Sequence, residues 1–85
     1  MENEIQRDLG PQPIDALLRE FEADNHEVVD ASPEQLTHKQ VQRARKGRRL
    51  TANMQAKILE AVRAYLAEKG VARKVGLGDL FNYRS

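Results

Sequence analysis

Leu36-Thr37-His38-Lys39-Gln40-Val41-Gln42-Arg43-Ala44-Arg45-Lys46-Gly47-Arg48-Arg49 carries its own start and stop signals and reads as one short helix over about residues 38–46. Thr37 is an N-cap residue, Gln40 stands three places on as the return partner of a capping box, and Leu36 and Val41 have the N′ and N4 spacing of a hydrophobic staple. Gly47 supplies the C-terminal stop. At roughly 100° per residue, Val41 and Ala44 fall on one side of this helix and Lys39, Gln42, Arg43 and Lys46 on the other. One side is suited to packing and the other projects cations and an amide outward.

Working outward, two apolar segments flank this helix. On the N-terminal side, Pro13 suits a first helical turn, and Ile14, Leu17, Leu18 and Phe21 recur at helical spacing, which predicts a helix over about 13–23. Asp24 or Asn25 then caps a short helix with Val28, Val29 and Ala31 inward, ending before Ser32-Pro33 because proline disfavours helical geometry in the residue preceding it. On the C-terminal side, Thr51 caps the longest periodic segment, where Met54, Ile58, Leu59, Val62, Tyr65 and Leu66 form one apolar stripe that Gly70 ends. Residues 1–12, with Gly10 and Pro11 and little periodicity, read as a flexible acidic arm. In residues 71–85, Asp79-Leu80-Phe81-Asn82-Tyr83 suggests a helical turn, with Gly76 and Gly78 acting as hinges before it. Its Leu77, Leu80, Phe81 and Tyr83 are expected to dock on the domain or on a second copy of it.

Eighty-five residues allow a single domain with a small core, and 32% charged residues with few aromatics fit a compact all-α module better than a sandwich. Without cysteine there are no disulfides or thiolate metal sites, which is compatible with a cytoplasmic protein. No stretch is apolar enough to span a membrane, and Met1-Glu2-Asn3-Glu4 lacks the basic start of a signal peptide, so a soluble, intracellular chain is expected. The net charge of +1 hides an asymmetry: residues 1–36 carry −8 and residues 37–85 carry +9. Six of the bases fall between positions 39 and 49. Such segregation suits a polyanion on one side, the alternative being two solvated surfaces that attract each other.

The outward chemistry of residues 38–46 fits double-stranded DNA. Arginine and lysine donate to guanine O6 and N7 or to phosphate, glutamine pairs with adenine, and a helix fits the major groove. The two histidines, His26 and His38, have no cysteine or HExxH spacing with them, so no metal site is expected. The carboxylates lie on helix exteriors with no pair marked for acid–base work, and Gly76-Leu77-Gly78 lacks the strand and remaining glycine of a dinucleotide loop. Neither enzymatic activity nor a cofactor is expected, and no small-molecule ligand is evident.

Four short helices, the second and third compact and joined by a turn, and the third closing in Arg45-Lys46-Gly47-Arg48-Arg49-Leu50-Thr51 before a longer amphipathic helix, resemble the Cro and phage-repressor (XRE-like) helix-turn-helix domain. The resemblance covers residues 13–68 and is strongest over 36–51, where Thr37, Val41 and Gly47 match the family's cap, buried aliphatic and closing glycine. It implies a four- to five-helix domain of the lambda-repressor-like type over 13–70, acting as a small bacterial or phage-type transcriptional regulator. By the same analogy His38, Lys39, Gln42 and Arg43 stand nearest base edges, and Asn25, Thr37, Lys46, Arg48 and Arg49 lie along the sugar-phosphate backbone. A homodimer on two half-sites is implied too. The chain departs from the pattern with about two extra residues in the 32–35 turn and with Arg45 where an acid is frequent. The second helix also lacks the usual phosphate-gripping residue at its start unless Asn25 or His26 serves. A different class of function would be a protein-interaction module, adaptor or antitoxin-like, using the acidic first helix or the aromatic tail.

Overall fold

A computed structural model describes residues 10–83. Five helices follow in order, α1 (Pro13–Glu20), α2 (Asn25–Ala31), α3 (His38–Lys46), α4 (Ala52–Glu68) and the single turn α5 (Leu77–Leu80), with no strand ladder among the described residues. The fold is all-α, as the periodicities predict. Of the arm, residues 1–9 lie outside the described residues, as do residues 84–85 of the tail. Among the described residues no helix is long and apolar enough to cross a membrane.

The central helix forms as its sequence dictates. Thr37 Oγ1 accepts from the Gln40 amide at 3.2 Å while Gln40 Oε1 accepts from the Thr37 amide at 2.9 Å, closing the capping box. Gly47 takes the left-handed conformation at φ 96°, and the amides of Gly47 and Arg48 return to the carbonyls of Ala44 and Arg43. A Cβ on Gly47 would also collide with the Gly10 carbonyl, so glycine is required twice over. Leu36, Val41 and Ala44 are all buried, with Val41 and Ala44 fully so.

The short α2 also carries a capping box. Asp24 Oδ1 accepts from the Glu27 amide at 2.8 Å and Glu27 Oε1 accepts from the Asp24 amide at 3.1 Å. This selects Asp24 over Asn25 as the cap and offsets the low helical preference of Val28-Val29. Val28 and Ala31 are buried, while Val29 is half-buried at the core's edge. Helix α1 ends at Glu20, three residues short of the expected 23. Glu22 turns left-handed at φ 54°, and the amides of Glu22 and Ala23 bond to the carbonyls of Arg19 and Leu18. A glutamate thus performs the turn that glycine performs after α3, which no composition signal announces.

Helix α4 starts on Thr51, whose Oγ1 accepts from the Met54 amide at 3.1 Å, and ends against Gly70 at φ 71°. Ile58, Leu59, Val62, Tyr65 and Leu66 are buried as expected, and Met54 is partly buried. Helix α2 packs chiefly on α4 and α3, and α1 on α3 and α5. The segment after Gly70 belongs to the same core, since Val75, Leu80 and Phe81 are 3%, 0% and 4% exposed. Val75, Leu80 and Phe81 of the tail therefore pack on the domain. The turn forms at 77–80 rather than 79–83, because Asp79 Oδ2 accepts from the Gly76 amide and caps it. Leu77 consequently faces solvent.

Candidate functional site

At roughly 100° per residue, His38, Gln42, Lys46, Lys39 and Arg43 fall in that order across an arc of about 140° on α3. All five are exposed. Val41 and Ala44 occupy the opposite side, so burial of those two sets which side chains project. No acidic residue interrupts the arc, and among the described residues no ion pair engages Lys39, Arg43 or Lys46. Lys39 sits in the first helical turn, facing the positive end of the helix dipole, and four residues from Arg43. Both placements are unfavourable for a cation, by a few tenths of a kcal/mol each. An anion held beside them would offset both.

Arg48 and Arg49 extend the positive surface beyond Gly47, and both are exposed. Their backbone is held by the tail. The Tyr83 hydroxyl donates to the Arg48 carbonyl at 3.1 Å and accepts from the Leu50 amide at 2.9 Å, and the Arg49 guanidinium lies 5.4 Å from the centre of the Tyr83 ring. Burial raises the phenol's pKa above its ordinary value, against the smaller opposing effects of the Leu50 amide and the Arg49 charge.

Arg45 is absent from the arc although it lies in the same basic run. Its Nε donates to Asp15 Oδ1 at 2.7 Å, and Nη1 donates to Asn25 Oδ1 at 2.9 Å and to the Ala23 carbonyl at 3.3 Å. The guanidinium ties α3 to α1 and to the start of α2, with the Arg45 and Asp15 side chains only 16% and 19% exposed. The acid of this pair stands on α1 and the base on α3. Asn25, expected at the phosphate backbone, has its carbonyl oxygen committed to this clamp. Its half-buried side chain lies at a groove of about 660 Å³ that Gln42 and Lys46 also line. Thr37 is exposed, with its hydroxyl oxygen serving as the α3 cap.

Sequence reasoning also missed Gln12, which is 2% exposed. Its amide donates to the Gly10 carbonyl at 3.1 Å, its carbonyl oxygen accepts from the Asn82 amide at 2.8 Å, and its backbone amide bonds to the Arg45 carbonyl at 3.4 Å. The last residues of the expected arm are thus built into the support of α3. The turn between α2 and α3 runs six residues, 32–37, where three or four are usual in a helix-turn-helix. Among the described residues no three His, Cys, Asp or Glu side chains gather as a metal-holding group.

No family model, curated protein or solved structure matches this chain.

Proposed function

We propose that the chain is a sequence-specific double-stranded DNA-binding protein that lays α3 in the major groove. One observation carries the reading: a helix closed at both ends by its own sequence buries Val41 and Ala44 and leaves an uninterrupted arc of His38, Gln42, Lys46, Lys39 and Arg43 exposed. In this arrangement Gln42 and Arg43 are the base readers, with His38 and Lys39 beside them. Lys46, Arg48 and Arg49 neutralise phosphates, assisted by Thr37 and Asn25 at the two helix starts. Two copies would place two α3 helices on half-sites about one turn of DNA apart, in the manner of a small transcriptional regulator. The longer 32–37 turn sets the angle at which α3 enters the groove.

The test is selection of bound duplexes from a random DNA pool near physiological salt, with a Gln42→Ala/Arg43→Ala double variant alongside. Enrichment of one motif by the intact protein and its loss in the variant is the expected result. A two-fold symmetric motif would carry the dimer as well. With four to six phosphate contacts, affinity should fall with salt at a log–log slope of about −4 to −5. A correctly folded protein that enriches no motif would overturn the reading. The interaction-module reading draws no support from the aromatic tail, because Leu80 and Phe81 are spent in the chain's own core.

A further inference from the structure

Twelve residues apart in sequence, the two histidines meet in space. His26 stands near the start of α2 and His38 opens α3. The 32–37 turn brings His26 Nδ1 and His38 Nε2 to 3.0 Å, with the rings crossed at 84°. The other nitrogen of His26, Nε2, lies 3.2 Å from Asp30 Oδ2 on the next turn of α2. One proton arrangement satisfies all three groups when both rings are neutral. His26 donates from Nε2 to Asp30, which leaves Nδ1 as a lone pair, and His38 donates to it from Nε2.

We propose that this pair is a binding site for an imidazole-seeking divalent metal ion, Zn²⁺ in the first instance, with His26 Nδ1 and His38 Nε2 as ligands and water completing the shell. Two nitrogens at the usual zinc distance of about 2.0–2.1 Å and a tetrahedral angle stand roughly 3.3 Å apart. The observed 3.0 Å is close to that bite, and turning each ring off the N···N line aims both nitrogens at one metal position. Asp30 supplies the carboxylate behind a ligating histidine that fixes the ring's tautomer and raises its basicity. On binding, the proton on His38 Nε2 passes through solvent to Nδ1, and the metal, seated beside the N···N line, replaces the N–H···N hydrogen bond.

The chemistry of the pair selects the class of ion. Two imidazoles without thiolate suit Zn²⁺, Cu²⁺ or Ni²⁺, whereas Mg²⁺ and Ca²⁺ require oxygen ligands. His26 and Asp30 side chains are 64% and 66% exposed, so the ion has an open path. With two protein ligands the shell stays open, unlike a closed structural site. Occupancy would staple the first turn of α2 to the first turn of α3. The site stands independently of DNA recognition; if that recognition holds, metal also withdraws His38 from the base edges.

The test is calorimetric titration of the full chain with Zn²⁺ at neutral pH, with Mg²⁺ as control, on the natural sequence and on His26→Ala, His38→Ala and Asp30→Asn. All three positions are exposed, and circular dichroism verifies the fold of each variant. Expected are one Zn²⁺ per chain, no Mg²⁺ binding, loss of the Zn²⁺ site in either histidine variant, and about tenfold weaker binding in Asp30→Asn. Zn²⁺ at a hundred times its Kd should raise Tm by roughly 10 °C or more. Absence of saturable Zn²⁺ binding, or binding unchanged in both histidine variants, overturns the proposal. No DNA enters the experiment, so its failure is separable from failure of the DNA reading.

Discussion

Arg45 shows how one side chain in a run of like residues acquires a separate role. Its position on the helix lies between the exposed arc and the buried Val41, and there it meets Asp15, Asn25 and the Ala23 carbonyl. Arg45→Ala takes a donor from Asn25 and the Ala23 carbonyl and leaves Asp15 to Arg19 alone at 2.9 Å, an expected loss of about 1–3 kcal/mol that a urea melt reads directly. Arg43→Ala, two residues away and exposed, should leave the midpoint almost unchanged. Tyr83 gives a second residue-scale prediction. Because burial raises its pKa, the neutral phenol is the form the fold favours, so its contribution is complete below the unfolded value of about 10 and is lost as pH rises through the folded value. Denaturation across that alkaline range should show a steeper decline for the natural protein than for Tyr83→Phe. At lower pH the Phe variant should be less stable by about 1 kcal/mol, having left the Leu50 amide without its acceptor.

Among the elements, α3 and α4 were legible because each carries its boundaries in sequence: a threonine cap, an apolar stripe and a closing glycine. Helix α2 held a comparable signal in Asp24 and Glu27, three apart, that the β-branched Val28-Val29 obscured. The end of α1 was not legible, since a left-handed glutamate is indistinguishable in sequence from a helical one. For the candidate site, periodicity sufficed to separate the exposed arc from Val41 and Ala44. It could not reveal the Arg45 clamp or the meeting of His26 and His38, which depend on how separate helices are placed. The charge placement of α3 yields its own prediction. Lys39→Glu removes a cation from the positive end of the helix and gives Arg43 an opposite partner four residues earlier, which should stabilise the fold by about 0.5–1 kcal/mol. On the proposed function the same variant should lose DNA affinity. A rise in Tm accompanied by retained DNA binding would remove Lys39 from the interface.

At the scale of the whole molecule, two ion pairs among the described residues stitch the acidic and basic halves together. Asp15 meets Arg45 at 2.7 Å, and Glu20 meets Arg73 at 2.8 Å, where the arginine's hydrogen bonds hold the Glu20 carboxyl below its ordinary pKa. The remaining cations of α3 stay outside these pairs, so only part of the segregated charge is spent internally. The tail is equally integral. Deleting residues 76–85 removes the buried Leu80 and Phe81, each worth about 2–5 kcal/mol against a total stability on the order of 5–15 kcal/mol for a domain. The truncated chain should show no cooperative thermal transition. One hydrogen bond, from the Asn82 amide to Gln12, spans seventy positions and brings the two ends of the described chain side by side. Folding must therefore close nearly the whole chain into a ring to complete its core, a long-range contact that slows folding relative to bundles joined only by neighbours. The same closeness makes the order of the helices dispensable. A circular permutant that links residue 83 to residue 10 by a short spacer and opens at the exposed Pro33-Glu34 turn should regain the native circular dichroism spectrum and melt cooperatively.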